Sequence, residues 1–159
     1  MSKRQLLLLY DFDTAFCRER HFMKDYMNYN LEIKHTTNET VLFIKEVTTE
    51  RAVEALKSLI KINMISPELY NVCEVHYDIE KGLDENTYPV VFIGEYPFLP
   101  QHLTPPVIKM SGVTAGYGGE GPHGTLEALE LMGFNVDPYV RANILSHPKN
   151  MVVNYRVRK

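Results

Sequence analysis

Between residues 5 and 79 the hydrophobic pattern switches repeatedly between the two-residue period of a strand and the 3.6-residue period of a helix. That switching limits the fold more than any other feature of the chain. Leu6 to Phe12 is a continuous apolar run ending in acids, the pattern of a strand covered on both faces. Thr14 offers an N-cap, and Phe16, Arg20, Met23 and Met27 follow at helical spacing, so a helix is expected over residues 15–28. Leu31 to Lys34 is a short edge strand, Thr36 to Glu39 a turn, and Thr40 to Val47, rich in β-branched and aromatic residues, a strong strand. Thr48 and Thr49 open a second helix. Its apolar face is Val53, Leu56, Ile60 and Met64, widened by Ala52, Ala55 and Leu59, and Pro67 forbids much extension. Asn71 to Ile79 alternates, as a strand with one buried face does.

The order strand, helix, strand, strand, helix, strand matches the ferredoxin-like split βαβ arrangement. The expected fold class is therefore α+β: a ferredoxin-like βαββαβ core over about residues 5–79, extended by further strands and two short helices. Residues 1–159 are expected to form a single domain, with 80–159 as the extension. In that extension Lys81 to Asn86 is a linker, and Tyr88 to Ile93 is a strand that Pro89 places at an edge. Prolines stiffen residues 96–106. Val107 to Met110 is a short strand, and Thr125 to Met132 a two-turn helix stopped by Gly133. Asp137 and Pro138 open another helix through Leu145, and Met151 to Val157 is the last strand.

Six of the nine glycines fall between Gly112 and Gly124, in a loop that leaves a strand and enters a helix. Glycine lets backbone adopt positive φ and lie close to a ligand, and helix N-termini hold anions. The loop is expected to carry a binding site made of Gly116, Tyr117, Gly118, Gly119, Gly121, His123, Gly124 and Thr125. Tyr117 suits stacking on a base or sugar, His123 an acid–base or anion-donor role, and Thr125 a hydroxyl contact. Gly116 to Gly121 satisfies G-x-G-x-x-G, but the helix is expected to start too late for a dinucleotide fingerprint, and no lysine follows the glycines as in a phosphate loop. Glu120 adds a negative charge that disfavours a bare phosphate. After Asp137 the chain has no acid, and Arg156 and Arg158 are candidates to balance a ligand's charge.

The expected function is thus that of a small ligand-binding protein. It would hold a phosphate-bearing molecule, a nucleotide among the candidates, and would sense or sequester it without turnover. No catalytic set can be assembled, and neither a cofactor nor a metal site is implied: His76 and Asp78 share a strand face without a third ligand. Net charge of −3 gives no drive toward nucleic acid or an anionic membrane. Cys17 and Cys73 are too few for a disulfide scaffold, and the apolar run at Leu6 is too short for a signal peptide or membrane span, which points to the cytoplasm. A protein-interaction module, such as an inhibitor, immunity or regulatory subunit, is the rival reading. Homo-oligomerisation through a free sheet edge fits either.

Asp11-Phe12-Asp13-Thr14, after its apolar strand, resembles the D-x-D-x-T nucleophile motif of haloacid-dehalogenase-like phosphohydrolases. The resemblance covers about ten residues and implies Asp11 as the group attacking phosphorus and Asp13 as the proton carrier. The family also uses a later lysine and a paired acidic motif, of which Ile93-Gly94-Glu95 is a faint counterpart.

Overall fold

The computed structural model describes residues 29–35, 40–77, 88–95, 106–146 and 154–159. The expected strand at Leu6 to Phe12, the helix over 15–28, Cys17, the Asp11–Asp13 motif and most of the 36–39, 81–86 and 96–106 connections lie outside them. The described chain forms six strands, β1 (Leu31–His35), β2 (Thr40–Lys45), β3 (Val72–His76), β4 (Val90–Ile93), β5 (Val107–Ser111) and β6 (Asn154–Arg158). Three helices accompany them, α1 (Thr49–Lys61), α2 (Glu120–Leu131) and α3 (Pro138–Leu145), making a mixed α+β fold.

All six strands belong to one sheet, in the order β1-β2-β5-β4-β3-β6. β2 and β5 are parallel, and the other neighbours are antiparallel. β1 and β2 pair antiparallel, and α1 lies between β2 and β3 in the chain. Between β2 and β3 stand β5 and β4, both from beyond residue 79. The strand with Pro89 before it is therefore interior, not an edge. Pro89 precedes the first paired residue, so its missing N–H costs no ladder bond, and its carbonyl accepts from His76 N at 2.9 Å.

Strand periodicity sorts side chains onto two faces. Cross-strand register aligns Ile33, Leu42, Ile108, Phe92, Cys73 and Val157 in one row. The adjacent row on that face is Leu31, Ile44, Met110, Val90, Val75 and Tyr155. The helices pack here: Ala52, Leu56 and Leu59 of α1, Leu126 and Leu129 of α2, and Ile144 of α3 join the same buried cluster. Each fully buried large side chain, such as Phe92, contributes roughly 1.5–3 kcal/mol. Burial pushes the Cys73 thiol up and leaves it an inert core group.

Local chemistry sets the helix ends. Thr48 caps α1 by accepting from Arg51 N at 3.4 Å. At the other end Asn63 takes φ 61°, with Asn63 N bonded to Ile60 O and Met64 N to Leu59 O, both at 2.9 Å, the Schellman pattern. Gly133 (φ 81°) closes α2 the same way, with Gly133 N to Glu130 O and Phe134 N to Leu129 O, both at 3.0 Å. Asp137 caps α3 by accepting from Val140 N at 2.8 Å, and Pro138 takes the first helical position.

Candidate functional site

The glycine segment connects β5 to α2. The helix starts at Glu120, five residues earlier than its sequence pattern suggests, because Gly119 is the extended N-cap and Pro122 falls in the first turn, where a helix needs no N–H donor. Thr125 therefore does not stand at the helix entrance. It is fully buried inside α2, and its hydroxyl donates to Thr114 O at 2.6 Å. This correction turns an expected ligand contact into a clamp between loop and helix.

Five of the six glycines have a structural cause. Gly112 (φ 88°) leaves β5 with backbone where a Cβ would stand 2.8 Å from Thr48 O and 3.0 Å from Glu46 O. Gly116 (φ 98°) turns the chain so that its N–H meets Ile144 O at 2.9 Å, satisfying a free carbonyl near the end of α3. A Cβ on Gly121 would collide with the Thr114 hydroxyl, and one on Gly124 with the Thr49 methyl. Gly119 leaves room for the Tyr117 ring, 2.8 Å from where its Cβ would be. Only Gly118 is unexplained by the fold: a Cβ there would meet nothing within 4 Å, and its φ is not positive.

Gly118 sits at an exposed tip. Tyr117 beside it is 48% exposed, and its hydroxyl is fixed by Thr114 Oγ1 at 2.8 Å, so the ring is held. His123 is exposed on the first turn of α2, one turn beyond Gly119, whose carbonyl accepts from His123 N at 3.3 Å. Among the described residues the amides of Gly118, Gly119 and Glu120 have no hydrogen-bond partner. The tip thus offers free N–H groups at a positive helix end, with the Tyr117 ring against Gly119.

Arg156 and Arg158 are not part of this site. They lie on β6, which pairs with β3 and is, among the described strands, the last of the sheet, with β4 and β3 between it and β5. Arg156 bonds to Glu74, which faces it across the ladder, and Arg158 bonds to Glu95 at 3.0 Å. Their charge is balanced by acids on the sheet, which the sequence order conceals because Glu74 and Arg156 are 82 residues apart.

The register also gathers residues that no sequence motif marks. On the face away from the helices, Phe43 of β2 has Lys34 and Lys45 ammonium groups at 5.4 Å from its ring centre and that of Lys109 at 5.9 Å. These lysines come from β1, β2 and β5. Among the described residues no three His, Cys, Asp or Glu groups are placed to hold a metal ion, and no helix is long and apolar enough to cross a membrane. No protein family, curated protein or solved structure matches the chain.

Proposed function

We propose that the protein is a small ligand-binding protein whose site is the tip of the β5–α2 loop, and that its ligand is a phosphate-bearing molecule of nucleotide type, bound without turnover. One observation carries the reading: Gly118 is a glycine the fold does not need, at an exposed helix entrance with free amides. A residue without Cβ there serves close approach by something other than the chain itself. Gly119 and Glu120 supply the amide donors, Tyr117 the stacking surface and His123 a further donor. Glu120 already complements the helix dipole, so a bare phosphate is repelled, and the ligand must gain from Tyr117 as well.

Titration calorimetry against nucleoside mono-, di- and triphosphates, with inorganic phosphate beside them, tests this. Heat is expected from at least one nucleotide and none from phosphate alone. A folded protein silent toward every nucleotide sinks the proposal. The interaction-module reading draws on a separate observation: Val47, in the neighbouring loop at the same end of the sheet, is 93% exposed. Recovery of one stoichiometric partner protein, lost on Val47→Asp, would favour it.

A further inference from the structure

We propose that Thr114 is a positioning residue that fixes Tyr117 as a stacking platform, and that the part of the ligand meeting this platform is a planar base. The inference rests on the loop reading above and names what its aromatic side selects. Thr114 is tied at three points. Its N–H donates to Gly121 O at 3.3 Å, its carbonyl accepts from Thr125 Oγ1 at 2.6 Å, and its hydroxyl pairs with the Tyr117 hydroxyl at 2.8 Å. Val113 and Ala115 on either side are buried, so the hydroxyl is presented from an anchored backbone. Two glycines of the α2 entrance leave room for the pair. A Cβ on Gly121 would collide with Thr114 Oγ1 and stand 3.0 Å from the Tyr117 hydroxyl. One on Gly119 would stand 2.8 Å from Tyr117 Cε2 and 3.1 Å from Cδ2.

The tyrosine is therefore held at its hydroxyl and along one ring edge, yet it stays 48% exposed. With the hydroxyl engaged by Thr114, what Tyr117 offers a ligand is ring carbon, which recognises by stacking rather than by hydrogen bonding. A nucleotide base suits such a surface, because every base has a π-face. A sugar phosphate without a base has none, and it meets the Glu120 carboxylate at the helix start as a bare phosphate does. A ring that is already fixed also loses less rotamer freedom when a ligand arrives than a free one would. That is the contribution of Thr114: it acts on the ligand through Tyr117, by ordering the ring in advance.

The test is titration calorimetry with adenosine and guanosine monophosphate, beside ribose 5-phosphate read by competition. At least one nucleotide is expected to bind, and ribose 5-phosphate about tenfold more weakly or less. Tyr117→Phe keeps the ring and Thr114→Val keeps the shape, and each removes the hydroxyl pair. Each should weaken the nucleotide about threefold to tenfold. The double variant should bind no worse than the weaker single one, because the same contact is lost once. Thr114→Ser, which retains the hydroxyl, should match the wild type. A merely structural loosening of the loop would weaken nucleotide and ribose 5-phosphate alike, so the ratio of the two affinities is the readout, and it should fall in both single variants. Tyr117 is half-exposed, so Tyr117→Phe carries the test if Thr114→Val unfolds. Equal affinity for nucleotide and ribose 5-phosphate, a ratio unchanged in the folded variants, or additive losses in the double variant overturn the proposal and leave the loop reading standing. No heat from either monophosphate also overturns it; silence from the di- and triphosphates as well overturns the loop reading with it.

Discussion

β2 and β5 lie side by side, run parallel, and each hands the chain to a helix at the same end of the sheet. β2 does so in three residues, Glu46, Val47 and Thr48, with no glycine. β5 uses eight, Gly112 to Gly119, of which four are glycine. The short connection is fixed by side chains. Thr48 caps α1, and the buried Glu46 carboxylate accepts from Asn30 N at 2.8 Å and Arg51 Nε at 3.1 Å. The long one has no side-chain cap. The task is the same in both, so the extra length and the bare helix entrance of the second are not needed to turn a strand into a helix. The proposed ligand site uses both.

The two connections are also interlocked. Ser111 Oγ donates to Glu46 O at 2.9 Å, Thr49 Oγ1 donates to Gly112 O at 2.8 Å, and Gly112 sits against the Thr48 and Glu46 carbonyls. Gly112→Ala breaks this contact where neither side can yield, because the obstacle is backbone and φ is positive. The expected loss of stability is about 3 kcal/mol or more, read by chemical denaturation. A loss below about 1 kcal/mol would show that the two loops are not held together as described.

Gly124→Ala comes next. Its Cβ would enter the space of the Thr49 methyl, with Val113 Cγ1 behind at 3.1 Å. An overpacking loss of about 2 kcal/mol is expected. Thr49→Ser removes the methyl but keeps the hydroxyl that holds Gly112, so the double variant should recover about 1 kcal/mol relative to the sum of the single changes. Strict additivity would mean that the helix crossing tolerates the extra carbon by moving apart, and the close α1–α2 approach would not be the reason for Gly124.

Thr48→Ala is a smaller probe of the short connection, expected to cost about 1 kcal/mol through loss of the cap. It was also the most legible part of the chain. The cap at Thr48, the helix stop at Gly133, and the Asp137–Pro138 start of α3 rest on residues within a few positions of one another, so sequence alone places them. The apolar rows of β2, β3 and β5 are legible for the same reason. What sequence conceals is set by pairing across distance. Pro89 marks an edge only if the N–H it lacks would have faced a neighbour, and the register places it before the ladder. Arg156 and Arg158 look available to a ligand until β6 is paired with β3, which brings Glu74 alongside. The glycine cluster was found by composition, but the causes of Gly112 and Gly124 lie in α1 and its entry, more than sixty residues away for Thr49 and Gly112. Nothing within the loop distinguishes those glycines from Gly118.

Gly118→Ala is therefore the sharpest probe, though its effect on stability is the smallest. The added methyl would meet no atom within 4 Å, and the backbone is not in the left-handed region. The fold should lose no more than about 0.5 kcal/mol, and could gain slightly as the unfolded chain stiffens. Ligand affinity, measured by calorimetry on the nucleotide that binds the wild type, should fall about tenfold or more, since a methyl at the tip stands between the Gly119 amide and an approaching oxygen. Gly124→Ala supplies the contrast: its cost is in folding, and at temperatures where it stays folded its affinity should match the wild type. If Gly118→Ala binds unchanged, the tip glycine is as dispensable to the ligand as it is to the fold. The excess length of the β5–α2 connection then serves only to carry Thr114 and Tyr117 over the entrance of α2.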